Sequence, residues 1–161
     1  MAWTVTNIGI NNTDTDLHPV TPNSAAAWWG SVETSPETII KGANNGQAGK
    51  FRATSGKATG TTGMVAYNSP APGIIIFFLI MMPYGTDQVN KTKCGFLKRD
   101  STTIDSYQVK RIYEDNQFGT NAEYEYQVQD GDQTKTVKLY LDSKIEQGTV
   151  VSATFTLGYR T

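Results

Sequence analysis

The sequence predicts a mainly β protein: one antiparallel β-sandwich domain over residues 1–161, with a single short helix near residues 103–115. Three observations carry this. Polar and apolar residues alternate with period two in most segments, most cleanly in 123–128, 136–141 and 151–157. Gly, Pro, Asn and Asp punctuate the chain at short intervals, as they do between sandwich strands. Only one segment offers apolar residues at helical spacing.

The elements follow in order. Residues 3–10 alternate loosely and read as a first strand, and 11–24 form a polar loop with two prolines. Ala26, Trp28, Trp29 and Val32, then residues 37–41, read as short strands separated by Ser35-Pro36. Ala43-Asn44-Asn45-Gly46 is a turn, and 50–54 and 64–68 are further strands. Residues 74–82 are apolar at every position and stop at Pro83, the pattern of a central strand covered on both faces. In 103–115, Ile104, Tyr107 and Arg111 share a helical face, and Ser101 to Thr103 offer N-caps. Tyr124, Tyr126 and Val128, then Val137, Leu139 and Leu141, flank the turn Asp130-Gly131-Asp132 as a hairpin. Val151, Ala153, Phe155 and Leu157 make a last strand after the Gln147-Gly148 turn.

With 161 residues, 38% of them hydrophobic, the chain is long enough to bury a core. A formal net charge of -1 and a pI near 5.8 argue against a nucleic-acid binder, which needs clustered positive charge. The basic pairs Lys91/Lys93 and Lys98/Arg99 read as solvated faces. One cysteine excludes an internal disulfide and a cysteine-based zinc site. No basic-then-apolar leader opens the sequence, and the run 74–82 is well short of the ~20 apolar residues of a membrane-spanning helix. The expectation is a protein made soluble, without a signal peptide. Asn11 and Asn90 stand in glycosylation patterns, which mean little without such a signal.

Catalytic residues are hard to find. His18, in Leu17-His18-Pro19, has no serine, cysteine or carboxylate at a catalytic spacing, and reads as a surface loop residue. Cys94 reads as a buried, inert thiol. Glu123 and Glu125 lie on the polar face of a strand, so solvation accounts for them better than glycoside hydrolysis. Asp130 and Asp132 suit a turn better than a calcium loop. The expectation is a binding protein with no catalytic residue, metal or cofactor.

Ser55 to Tyr67, SGKATGTTGMVAY, looks at first like a phosphate cradle. The spacing rejects that: Gly56-Lys57 is followed by Ala58, and the position five before Gly56 is Phe51, against G-x-x-x-x-G-K-[ST]. Glycines there read as turn residues supplying positive φ ahead of a strand. Aromatic residues are plentiful, among them Trp28, Trp29, Tyr84, Tyr107, Tyr113, Phe118, Tyr124 and Tyr126. Trp28 or Trp29, but not both, can point inward from a strand. Tyr84 ends the most apolar strand, held firmly but facing outward.

The segment Ala58-Thr59-Gly60-Thr61-Thr62-Gly63-Met64-Val65-Ala66-Tyr67, followed by a turn, an apolar strand and Met82-Pro83-Tyr84, resembles the core of the actinoporins. Those pore-forming cytolysins carry an ATGxxGxxAY-like stretch and an apolar strand ending in Val-Pro-aromatic. Fungal fruit-body lectins carry a similar Ser-Gly-x-x-x-Gly turn in their sugar pocket. Aegerolysins carry a Gly-Thr-x-Gly stretch and a Pro-aromatic-Gly close to Gly60-Thr61-Thr62-Gly63 and Pro83-Tyr84-Gly85. The resemblance is thus to the actinoporin-like cytolysin–lectin superfamily, with motif matches confined to Ser55 through Tyr84.

It implies a site for a lipid headgroup or glycan at Ser55, Gly56, Pro83, Tyr84, Tyr107 and Tyr113, the positions matching the actinoporin phosphocholine pocket. It implies an extracellular toxin that binds a target-cell membrane lipid and forms a homo-oligomer there, with or without a second protein component. The alternative is a lectin that never perforates a membrane. Two departures bear on insertion: residues 3–10 already read as a sandwich strand where actinoporins place an amphipathic helix, and 85–90 lack their aromatic residues. Both leave the headgroup-or-sugar pocket as the feature to expect.

Overall fold

The computed structural model describes residues 3–53, 60–84 and 89–160. Its strands are β1 (Thr4–Asn12), β2 (Ala25–Trp29), β3 (Ser31–Thr34), β4 (Gly46–Arg52), β5 (Thr61–Asn68), β6 (Ile74–Met82) and β7 (Lys91–Lys98). After a 3₁₀ turn at Arg99–Ser101 come helix α1 (Ser106–Glu114) and strands β8 (Asn121–Asp130), β9 (Gln133–Ile145) and β10 (Val150–Tyr159). They form two sheets, one of six strands in the order β3-β4-β1-β10-β9-β8 and one of four in the order β2-β5-β6-β7.

The apolar run occupies β6 from end to end, and its two faces serve two cores. Ile76, Phe78, Ile80 and Met82 face the six-stranded sheet, packing with Phe51, Leu139, Leu141 and Phe155. Ile75, Phe77 and Leu79 face the other way, toward Val109 and Ile112 of α1 and Ile104 before it. A strand apolar on both sides therefore needs the helix as a lid. Truncating a fully buried member such as Phe77 to Ala would cost roughly 3–5 kcal/mol.

Several expectations need correction. Every named strand pair is antiparallel except β1–β10, which is parallel along its whole length. Residues 37–41 form no strand; they contribute only an isolated bridge, Leu17 to Ile39. Strand β7 was not expected, because Lys91, Lys93 and Lys98 break up its apolar residues and no apolar run marks it. The helix is capped by Asp105, whose carboxylate accepts from the Gln108 N–H at 2.8 Å, and Ser101 to Thr103 lie ahead of it.

Gly60 and Gly63 are not positive-φ residues, contrary to the reading of that stretch as turn glycines. They are required by close approach. A Cβ on Gly63 would lie 2.4 Å from the Phe51 ring, and one on Gly60 would lie 1.7 Å from the Met82 carbonyl oxygen.

Lys93 also departs from the solvated-face reading. Its ammonium donates to the carbonyls of Ile112 (3.1 Å), Tyr113 (2.7 Å) and Asp115 (2.8 Å) at the end of α1, where the helix dipole favours a cation. Burial lowers its pKa, an effect the Asp115 carboxylate opposes. The lysine thus ties the helix terminus to the sheet.

Candidate functional site

Strand ends build the site. At one end of the sandwich β1 and β10 begin, while β2, β6 and α1 finish. Trp29, Gly60, Pro83, Tyr84, Lys91 and Tyr113 line a cleft of about 330 Å³ there, with Thr62, Met81, Met82 and Val89. This is the small end of the range for ligand sites, roughly 300–1,000 Å³, and fits a headgroup or a monosaccharide better than a whole lipid.

Each aromatic side chain at this end has a specific support. Tyr84 follows Pro83, is half-exposed, and stacks against Trp3 with ring centroids 5.5 Å apart. Tyr113 is placed by the last turn of α1, which Lys93 anchors, and packs on Trp28 at 5.3 Å. Trp28 in turn lies 5.0 Å from Trp29, packs against the helix-side core and carries the Lys110 ammonium over its ring at 5.8 Å. The expectation that only one of the two tryptophans points inward needs correction. Trp28 is half-buried and Trp29 exposed, but a register shift between Ala27 and Trp29 breaks the alternation and brings both rings to the same side of the strand.

Of the expected site residues, the fold brings Pro83, Tyr84 and Tyr113 together. Tyr107 is not among the residues lining this cleft; it sits near the start of α1, about 9 Å along the helix axis from Tyr113, and is the most exposed of the three tyrosines. Ser55 and Gly56 lie outside the described residues. Trp29, Val89 and Lys91 were not anticipated. Trp29 had a usable signal, since it is an aromatic residue at the end of a short strand. Lys91 is the one charged residue among the described lining residues, positioned opposite Met81 in the β6–β7 ladder.

The remaining exposed apolar side chains sharpen the picture. Among the described residues, Trp29, Tyr84, Val89, Tyr113 and Val150 are exposed at this one end. Val150 belongs here because it pairs with Thr4 at the start of β1. Exposed aromatic and aliphatic groups are thus gathered around a lysine at one end, not scattered singly.

Other candidates resolve simply. His18 is exposed, its Nδ1 3.3 Å from the Thr38 hydroxyl. Cys94 is fully buried between the sheets, and burial pushes its thiol from an ordinary 9.0 up to about 11. The Asn11 amide is buried and donates to the carbonyls of Thr15 and Ile39, and the Asn90 amide to those of Glu146 and Gly148. Neither amide is free to carry a glycan. Glu123 pairs with Arg160 at the surface. Among the described residues there is no group of three or more His, Cys, Asp or Glu able to hold a metal ion. No helix among them is long and apolar enough to cross a membrane.

At the level of sequence, no protein family description and no curated protein matches the chain. Solved structures do match. The crystal structure of the lipid binding protein Nakanori superposes with a TM-score of 0.66 at 14% identity, over 98% of this chain and 72% of that one. The wild-type lectin XCL of Xerocomus chrysenteron superposes with a TM-score of 0.55 at 13% identity, over 98% of this chain and 100% of the lectin. The chain has the β-sandwich fold that this lipid-binding protein and this lectin share, the fold its glycine-rich segment and Pro-Tyr strand end implied.

Proposed function

We propose that this protein docks on a membrane surface through the aromatic end of its sandwich and holds a phospholipid headgroup, phosphocholine in the first instance, in the cleft beside Tyr84. The observation that carries the reading is the gathering of Trp29, Tyr84 and Tyr113 around Lys91 in one cleft, with Val89 and Val150 exposed at the same end. Phosphate would accept from the Lys91 ammonium, and the quaternary ammonium would lie against the rings. Aromatic side chains with a polar tip suit the interfacial layer of a bilayer. The proposed mechanism is recognition and docking, not bond making or breaking.

The fuller form of the proposal is a cytolysin that oligomerises on its target membrane from the outside. Binding and perforation are separate steps and need separate readouts. A lectin using the same cleft is the second reading, because tyrosine and tryptophan faces stack on sugars as readily as on choline. The test is to incubate the protein with vesicles of phosphatidylcholine, sphingomyelin or phosphatidylserine, measure co-sedimentation, and score release of a trapped dye in parallel. Binding to choline-headgroup vesicles that Tyr84→Ala and Trp29→Ala each weaken supports the docking. No binding to any vesicle, with glycan binding sensitive to the same two substitutions, replaces it with the lectin. Binding without dye release removes the cytolysin but not the docking.

A further inference from the structure

The opposite end of the sandwich carries a second, larger cleft of about 670 Å³. Its origin is a length mismatch. Strand β9 has 13 residues, but β10 stops pairing at Tyr159 opposite Leu139, so the first residues of β9 pair with β8 alone. The row that forms the core further along therefore continues, as Tyr126 and Val128 on β8 with Val137 on β9, beyond the point where β10 stops, and it lines the cleft. Tyr126, Val128 and Val137 are only half-buried, and they form an apolar wall. The loop after β1, with Asp14, closes the other side.

Polar groups on that rim are held in place. The Tyr159 hydroxyl donates to Asp14 Oδ1 at 2.5 Å, fixing the carboxylate. Among the described residues nothing donates to Asp14 Oδ2. Burial and the Asp14 charge together raise the pKa of Tyr126 and of Tyr159, as expected when both rings face that carboxylate. Two of the three cations lining the cleft have partners, Lys135 3.5 Å from Asp130 and Arg160 paired with Glu123 and stacked over Tyr140 at 4.4 Å. The third, Lys138, stands opposite Glu125 in the β8–β9 ladder.

We infer that this cleft is a second binding site, specific for a neutral saccharide, on the face of the molecule away from the membrane-docking end. A fixed carboxylate accepts from two adjacent hydroxyls, and a tyrosine ring beside two valines covers the C–H face of a pyranose. Compensated charges around the cleft favour an uncharged ligand, since a sugar carboxylate would face Asp14 and Asp130. The inference does not depend on the headgroup site, because the two clefts share no residue.

The experiment uses the full chain on an array of neutral and sialylated glycans, followed by calorimetric titration with the best neutral hit. Asp14→Asn, which preserves shape, weakens that binding about tenfold or more, the loss expected for hydrogen bonds to a charged acceptor. Val128→Trp fills the cleft and removes binding. Circular dichroism melts within a degree or two of wild type show that neither effect is unfolding, and phosphatidylcholine vesicle binding, where present, is unchanged in both variants. The inference is overturned by retention of no neutral glycan, by retention of sialylated glycans alone, or by neutral-glycan binding that neither substitution alters.

Discussion

Replacing Lys93 by Met tests how the site is held together. The substitution keeps the length of the side chain and removes the ammonium that caps three carbonyls at the end of α1. Taken singly, hydrogen bonds to a charged donor contribute about 1.5–3 kcal/mol each. They do not sum here. All three share one ammonium, and burial lowers the Lys93 pKa, so part of their energy offsets its desolvation. The net loss is therefore about 2 kcal/mol, which for a domain of this size lowers Tm by roughly 4–8 °C. Thermal melting followed by circular dichroism measures it. Because Tyr113 rides on this helix terminus, headgroup binding should fall with stability, whereas exposed Lys144→Met leaves both near wild type. A Tm within about 1 °C of wild type for Lys93→Met would refute the capping role and, with it, the explanation of how Tyr113 is positioned.

Three further outcomes follow from the packing. Gly63→Ala pushes a methyl group into the Phe51 ring and should cost about 2 kcal/mol or more, read as a lower midpoint in guanidinium; a wild-type midpoint would mean the sheets can separate to admit it. Cys94 should resist thiol reagents in the native protein and react on unfolding. The folded-state pKa of Cys94 is raised, so its contribution to stability is intact below pH 9 and is lost as pH climbs toward 11. Cys94→Ala should accordingly flatten the fall in Tm between those values, and an unchanged slope would contradict the burial argument. Expression through a glycosylating secretory route should leave Asn11 and Asn90 unmodified, because their amides are committed inside the fold; a glycan mass on either would contradict that.

Much of the fold was legible because apolar residues sit where period two puts them. Strand β6 could be read to the residue, and the β8–β9 hairpin and β10 followed from alternation around Gly131 and Gly148. Strand β7 was not legible, since its outward lysine earns its place only through a helix end that is distant in sequence. The parallel β1–β10 pairing was hidden for a similar reason: alternation reports which face is buried, not which neighbour lies alongside. In the site, Pro83, Tyr84 and Tyr113 were reachable from the apolar strand and the helix. Tyr107 was grouped with them by motif position, yet the helix carries it away from the cleft. Lys91 and Val89 became visible only when β7 brought them back to the end of β6.

The central claim is that the aromatic end meets the bilayer, and the tryptophans report on it without any substitution. All three, Trp3, Trp28 and Trp29, lie at that end, at the start of β1 and the finish of β2. Titrating the protein with phosphatidylcholine vesicles containing lipids brominated near the headgroup should quench their fluorescence in step with binding measured by sedimentation. Binding without quenching would place another face of the molecule against the membrane, and the account would be wrong.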